Sequence, residues 1–252
     1  MKTRGVVFAL LVLVFAFPAL AQDANTITYN GFSLSVDSAL AQHVNIVQIS
    51  GSESVFPPLA PHTRFFLYDE FPPAPEGLFD RGAVVMVHPT ARFGSNAGAE
   101  AALEQLQTLL DERPDLDVFM TVGEDMSGVT LPFLPAIAAG QVVRARAQYV
   151  ETPQVRGISY VTAYRQDMGP FASGEFFYTF QGLSADGTYY ISAVLNFDTS
   201  LFPAELEPFD PTTFNNVEYL NQSIARLNEA GAEVFTPSLS LLDDLVQTFV
   251  FE

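Results

Sequence analysis

The tract EFFYTFQGLSADGTYYISAVLNF (175–197) leaves its backbone little choice. Aromatic and apolar residues alternate with other residues on both sides of Asp186-Gly187, the period-two pattern of strands in a half-buried hairpin. With Asp186-Gly187 as a two-residue loop, Phe180 opposes Ala193, Tyr178 opposes Leu195 and Phe176 opposes Phe197. Any even loop length keeps the two apolar stripes on one face, whereas an odd one requires a bulge.

Other segments follow the same logic. TITYNGFSLSVD (26–37) is a second hairpin around Asn30-Gly31, a type I′ turn pair, with Tyr29 opposite Phe32 and Ile27 opposite Leu34. Val44–Ser50, Thr63–Asp69 and Gly82–His88 are further strands. The last reads GAVVMVH, a continuous apolar run suited to a central strand covered on both faces. The proline-rich stretches VFPPLAP and EFPPAPEG are rim loops. GQVVRARAQYV (140–150) alternates, placing Val143, Ala145, Ala147 and Tyr149 on one face and Arg144, Arg146 and Gln148 on the other. A four-residue loop ETPQ then sets Ala147 opposite Ile158 and Ala145 opposite Tyr160, so that the arginine face meets Gly157, Ser159 and Val161.

Helices are expected in three places. The first is capped by Ser95 or Asn96, with Ala99, Ala102, Leu103, Leu106, Leu109 and Leu110 as its apolar stripe, and stops at Arg113-Pro114. The second starts at Asp210-Pro211, carries Phe214, Val217, Leu220, Ile224 and Leu227, and ends at Gly231. The third opens at Thr236-Pro237, with Leu241, Leu242, Leu245, Val246 and Phe249 inward. Residues 114–139 are a long crossing loop or a boundary between halves. The fold class is therefore α+β: a mainly antiparallel sheet of about seven to eight strands, with one mid-chain helix and two C-terminal helices packed on it.

Residues 1–21 stand apart from this body. Lys2 and Arg4, the apolar run Val6–Phe17 and the small-residue site Ala19-Leu20-Ala21 have the form of an export signal, cleaved to leave Gln22 first. The apolar run is shorter than the ~20 residues of a spanning helix. Residues 22–252 then form a single domain, secreted or held in the cell envelope, with no membrane insertion after signal removal. Cleavage removes Lys2, the only lysine, and Arg4, so nine arginines (11 − 2) face 29 acidic residues, a net charge of −20. Such a surface repels nucleic acid, whose binding needs clustered cations.

The segments FFYTFQGLSADGTYYISAVLNF, LPFLPAIAAGQVVRARAQYV, GISYVTAY and ITYNGFSLSVD resemble a group of exported bacterial proteins without assigned activity, over most of the mature chain. More remotely the pattern is similar to PsbP-like α-β-α sandwiches. The resemblance implies export and this layered fold, and no chemistry.

Chemistry is excluded more readily than found. Zero cysteines rule out disulfides, thiolate metal sites and cysteine nucleophiles, and a mature chain without lysine supplies no P-loop or Schiff-base lysine. His43, His62 and His88 show no HxH or HxxxH spacing; a metal site completed by Asp69 or Glu70 is the functional reading, and structural or surface roles are the expectation, with His88 as the polar end of a strand. No metal and no cofactor is expected. GEDMSGV (123–129) lacks the register of a serine elbow. Asp69-Glu70 and Glu124-Asp125 are the carboxylate pairs that a glycan hydrolase would use. The aromatics Tyr160, Tyr164, Phe176, Tyr178 and Phe180 belong to the sheet core or line a groove for an apolar cargo. Arg144 and Arg146, two apart on one strand and facing small residues, are the candidate ligand-binding residues, positioned to clamp an anion unless acidic neighbours neutralise them. The reading is an exported, non-catalytic domain that binds a small ligand or an envelope protein, with a carboxylate-dependent glycan hydrolase and a carrier of a small apolar molecule as alternatives.

Overall fold

The computed structural model of the protein describes residues 25–70, 83–94, 96–123, 129–206 and 208–252. Residues 1–24, where the export signal is expected, Ser95, the Glu124-Asp125 pair and nearly all of EFPPAPEG lie outside the described residues. In chain order the elements are β1 (Asn25–Tyr29), β2 (Phe32–Val36), β3 (His43–Ile49), β4 (His62–Tyr68), β5 (Ala83–Pro89), α1 (Ala97–Glu112), β6 (Gly140–Glu151), β7 (Val155–Arg165), β8 (Phe177–Ser184), β9 (Tyr189–Asn196), β10 (Asp198–Thr199), α2 (Asn216–Glu229), β11 (Phe235–Thr236), α3 (Leu239–Gln247) and β12 (Val250–Phe251).

Seven strands form one antiparallel sheet in the order β3-β4-β5-β9-β8-β7-β6. Its centre is the expected hairpin: Phe180 pairs with Ala193 and Tyr178 with Leu195. The turn holds because Asp186 Oδ1 accepts hydrogen bonds from Ser184 Oγ (2.6 Å), Thr188 N (3.0 Å) and Thr188 Oγ1 (2.8 Å), while Gly187 takes a positive φ of 73°. β5 lies inside the sheet, and its apolar run is divided between the two faces. Ala83, Val85 and Val87 join one core, Val84 and Met86 the other.

One face carries α1 and the segment 131–137. Asn96 caps α1 by accepting from Ala99 N, and Ala99, Ala102, Leu106, Leu109 and Leu110 are buried. The LPFLP stretch is a crossing loop laid on the sheet, tied down by side chains that rise from it. Gln181 Oε1 accepts from Leu134 N (2.9 Å), Ser192 Oγ donates to Leu134 O (2.6 Å), and Tyr160 OH donates to Pro132 O (2.8 Å). Gln141 Oε1 accepts from Leu131 N (2.8 Å). Backbone that would otherwise be buried without partners is thereby satisfied.

The other face carries α2, α3 and a small sheet of order β1-β2-β12. The Asn30-Gly31 turn has both residues at positive φ (51° and 76°) and Tyr29 opposite Phe32, as the sequence predicts. β12 pairs with β2, Val250 opposite Ser33 and Phe251 opposite Phe32.

Three expectations are corrected. α2 starts at Asn216, not after Asp210-Pro211. Asn215 accepts from Glu218 N while Asp210 closes its own turn on Thr212. It ends before Gly231, with Ala230 as its C-cap. The β6–β7 hairpin pairs Glu151 with Arg156 and Tyr149 with Ile158, a register two residues along β6 from the pairing of Ala147 with Ile158 that the ETPQ loop implied. The Thr152 hydroxyl accepts from Gln154 N and Val155 N and closes the turn early.

The third correction bears on the site. Between Ala145↔Val161 and Gln148↔Ser159 the β6 strand advances three residues against two on β7, a bulge in which Arg146 adopts φ 54°. An extra residue reverses the alternation. Val143 and Ala145 join the core under α2 and α3, whereas Ala147 and Tyr149 pack on the α1 side. Arg144 and Arg146 therefore point to opposite faces of the sheet, and Thr162, not Val161, stands opposite Arg144.

Candidate functional site

Arg144 lies on the α1 face, 2 % exposed. Its Nε donates to Phe119 O (2.7 Å) and Nη1 to Gln141 O (2.6 Å), and Nη2 is buried without a protein acceptor. Burial lowers its pKa, against the pull of the nearby Tyr164 and Tyr160 hydroxyls. No ion pair neutralises it among the described residues. It fastens the 116–119 turn to the sheet and lines no described cavity.

Arg146 differs. The bulge turns its guanidinium toward the end of α2, where Nη1 donates to Leu227 O (3.0 Å), Asn228 O (3.2 Å) and Ala230 O (3.0 Å), carbonyls that have no partner within the helix. Asn228 Oδ1 accepts from Arg146 N (2.6 Å), and the guanidinium lies 5.7 Å from the Phe235 ring centroid. Replacing Arg146 with methionine is expected to cost about 1–3 kcal/mol of stability in urea unfolding, because three carbonyls lose a charged donor together. A surface arginine would cost less than about 0.5 kcal/mol.

The same guanidinium lines a cavity of about 370 Å³ between β6, β7 and β8 and the facing ends of α2 and α3. Asp243 of α3 lines it too. Asp243 Oδ1 accepts from Tyr178 OH (2.7 Å) and from Gln148 Nε2 (3.2 Å), and Gln148 Nε2 also reaches Ser159 Oγ (3.1 Å). Burial pushes the Asp243 carboxyl above its ordinary range, opposed by the Tyr178 and Gln148 hydrogen bonds and the Arg146 charge. Burial first, then the Asp243 charge, pushes the Tyr178 hydroxyl well up, so it remains a donor. Leu239 and Val161 supply apolar wall. Arg146 and Asp243 form no ion pair, with each other or with another described residue.

The remaining candidates are scattered. His43 is exposed, its ring 5.4 Å from that of Tyr68 at the far end of β4. His62 and His88 are buried and adjacent: Thr63 pairs with Val87, the next step along both strands brings the imidazoles together, and their centroids are 4.7 Å apart. His88 is thus no polar strand end. It is fully buried against Phe93 and Tyr190, with neither ring nitrogen hydrogen-bonded. His62 Nδ1 meets Ala60 O (2.8 Å) and Nε2 accepts from Arg64 Nε (3.3 Å), an arrangement that fits a neutral ring. Among the described residues no group of three or more His, Asp or Glu is placed to hold a metal.

Asp69 and Glu70 line a larger cleft of about 990 Å³ at the Tyr68 end of the sheet, with Glu175, Asp198, Tyr68, Phe176 and Phe197. The aromatic set does not line one groove. Tyr160 and Tyr164 pack on the α1 side, and Phe176, Tyr178 and Phe180 on the other. Compared with known proteins, the chain matches no family model, no curated protein and no solved structure.

Sequence reasoning named Arg146, set Gln148 on its strand face and listed Tyr178 among the groove aromatics, but missed Asp243. The helical stripe of α3 places Asp243 one residue after the inward Leu242, a weak signal that it borders the sheet.

Proposed function

We propose that the protein is an exported, non-catalytic domain that binds a small molecule in the cavity around Arg146 and Asp243. The observation that supports this reading is the pair of opposite charges facing one cavity without closing into an ion pair, each held in place by hydrogen bonds to the fold. A half-buried carboxylate and guanidinium left apart are costly unless a ligand uses them. Glycoside hydrolysis needs two carboxyl groups about 5–10 Å apart across the scissile bond, and Asp243 is the one carboxyl among the described lining residues, which favours binding over that chemistry.

A stability screen of small molecules tests it. Ligands of this cavity raise the unfolding free energy by about 2.7 kcal/mol at a hundredfold excess over Kd, and Asp243→Asn removes the gain. Compounds that stabilise both proteins equally would place binding elsewhere. Export rests on the N-terminal pattern; recovery of the protein outside the cytoplasm with Gln22 at its N-terminus is the expected result, and an intact Met1 terminus is the contrary one.

A second reading, a carboxylate-dependent glycan hydrolase, has the larger cleft in its favour, where four carboxylates meet aromatic rings. Turnover of glycoside substrates that is lost in Asp69→Asn would establish it in place of the binding reading.

A further inference from the structure

We infer that the ligand of the Arg146–Asp243 cavity is a small zwitterion, a molecule such as a free α-amino acid that carries a protonated amine and a carboxylate close together. The inference rests on the binding reading above and deepens it. Nη1 of Arg146 is spent on the carbonyls at the end of α2, and its Nε and Nη2 donate to no described protein group. Oδ1 of Asp243 is spent on Tyr178 and Gln148, and its Oδ2 accepts from no described donor. Each charged group thus keeps one unused edge, a planar donor edge on one side and an acceptor oxygen on the other.

A ligand bearing only an anion would satisfy Arg146 and leave Asp243 partly buried and repelling it; a simple amine would do the reverse. A molecule with both charges satisfies both at once, and its neutrality avoids moving net charge into a half-buried space. A volume of about 370 Å³ is large enough to admit an amino acid. The bulge is part of the device. Without the extra residue in β6, Arg146 would not point beneath the end of α2, so a locally strained backbone coincides with the group aimed at the cavity.

Calorimetry on the full protein tests the inference with three sets of probes: α-amino acids, the same side chains as amines lacking the carboxylate, and as acids lacking the amine. Zwitterions are expected to bind at least about tenfold more tightly than either half-molecule. Asp243→Asn reduces them to the affinity of the acids, and Ala232→Trp at the exposed rim blocks all three. Their affinity falls as pH drops through the raised Asp243 pKa, since protonation removes the partner of the ammonium. Thermal unfolding of both variants confirms that they are folded. Amines or acids that bind as tightly as the zwitterions, and shift the amide resonances of Gln148 and Asp243, overturn the zwitterion while the cavity keeps its role. If no probe moves those resonances and the stability screen finds no Asp243-dependent ligand, both readings fall.

Discussion

Gly157→Ala is expected to lower stability by about 3 kcal/mol or more, and Gly182→Ala by a comparable amount, in equilibrium urea unfolding. The two glycines pair across β7 and β8, and the fully buried Phe180 ring lies over them. A Cβ on Gly157 would stand 2.4 Å from Gln181 O and 2.6 Å from the Gly182 Cα, both backbone atoms of the neighbouring strand. A Cβ on Gly182 would stand 2.3 Å and 2.6 Å from Phe180 Cζ and Cε1. The difference in what is struck separates the two variants. Phe180→Leu, itself destabilising, should offset much of the Gly182→Ala penalty by clearing the ring atoms, and should relieve Gly157→Ala far less, because strand backbone cannot step aside. Double-mutant cycles measure this directly. Equal relief of both would mean that the ring does not cover the pair as described.

Acid is expected to destabilise the protein through His62 and His88 before its carboxylates are protonated. Burial, with Arg64 adding to it and the hydrogen bond to Ala60 opposing, lowers the His62 pKa to about 4, and burial, then the His62 and Arg64 neighbours, pushes His88 well below its ordinary value against an opposing pull from the Pro61 backbone. In the unfolded chain each imidazole takes its proton near pH 6.5. The folded-state values are depressed, so the unfolded state binds more protons in the window between them. The stabilisation is fully present above about pH 6.5 and is lost as pH falls toward 4. For His62 the difference is on the order of 3 kcal/mol over that window, and His88 adds to it in the same direction. His88→Phe removes two unpaired buried nitrogens and keeps the ring volume. It should hold or raise stability at pH 7 and flatten the acid limb, as followed by urea midpoints between pH 4 and 7. An unchanged acid limb in that variant would refute a role for His88.

The unequal legibility of this fold has identifiable causes. The β8–β9 register could be read because an Asp-Gly turn and two apolar stripes agree, and the Asn30-Gly31 hairpin for the same reason. The β6 bulge could not. Both faces of that sheet edge are covered, so alanine and tyrosine suit either side and the alternation of Val143, Ala145, Ala147 and Tyr149 carries no trace of the reversal at Arg146. The start of α2 was misplaced because Asp210-Pro211 and Asn215 with Glu218 both have capping chemistry, and the second pair lies where the buried stripe begins. The His62–His88 contact depends on the register of two strands joined through a proline-rich stretch whose length does not set pairing. Asp243 and Tyr178, 65 residues apart, meet only once α3 docks on β8.

The pairing of β12 with β2 closes a long loop of chain. Val250 and Phe251 hydrogen-bond a strand more than two hundred residues upstream, and Glu252 N reaches back to the carbonyl of Gly31 in the first turn. Phe249, just before this seam, packs edge-on against both Phe32 and Phe180. The opening hairpin therefore gains its third strand only from a segment more than two hundred residues further along the chain. The last residues of β12 thus act as a clasp: the small sheet reaches its full width only when both ends of the described chain are present together.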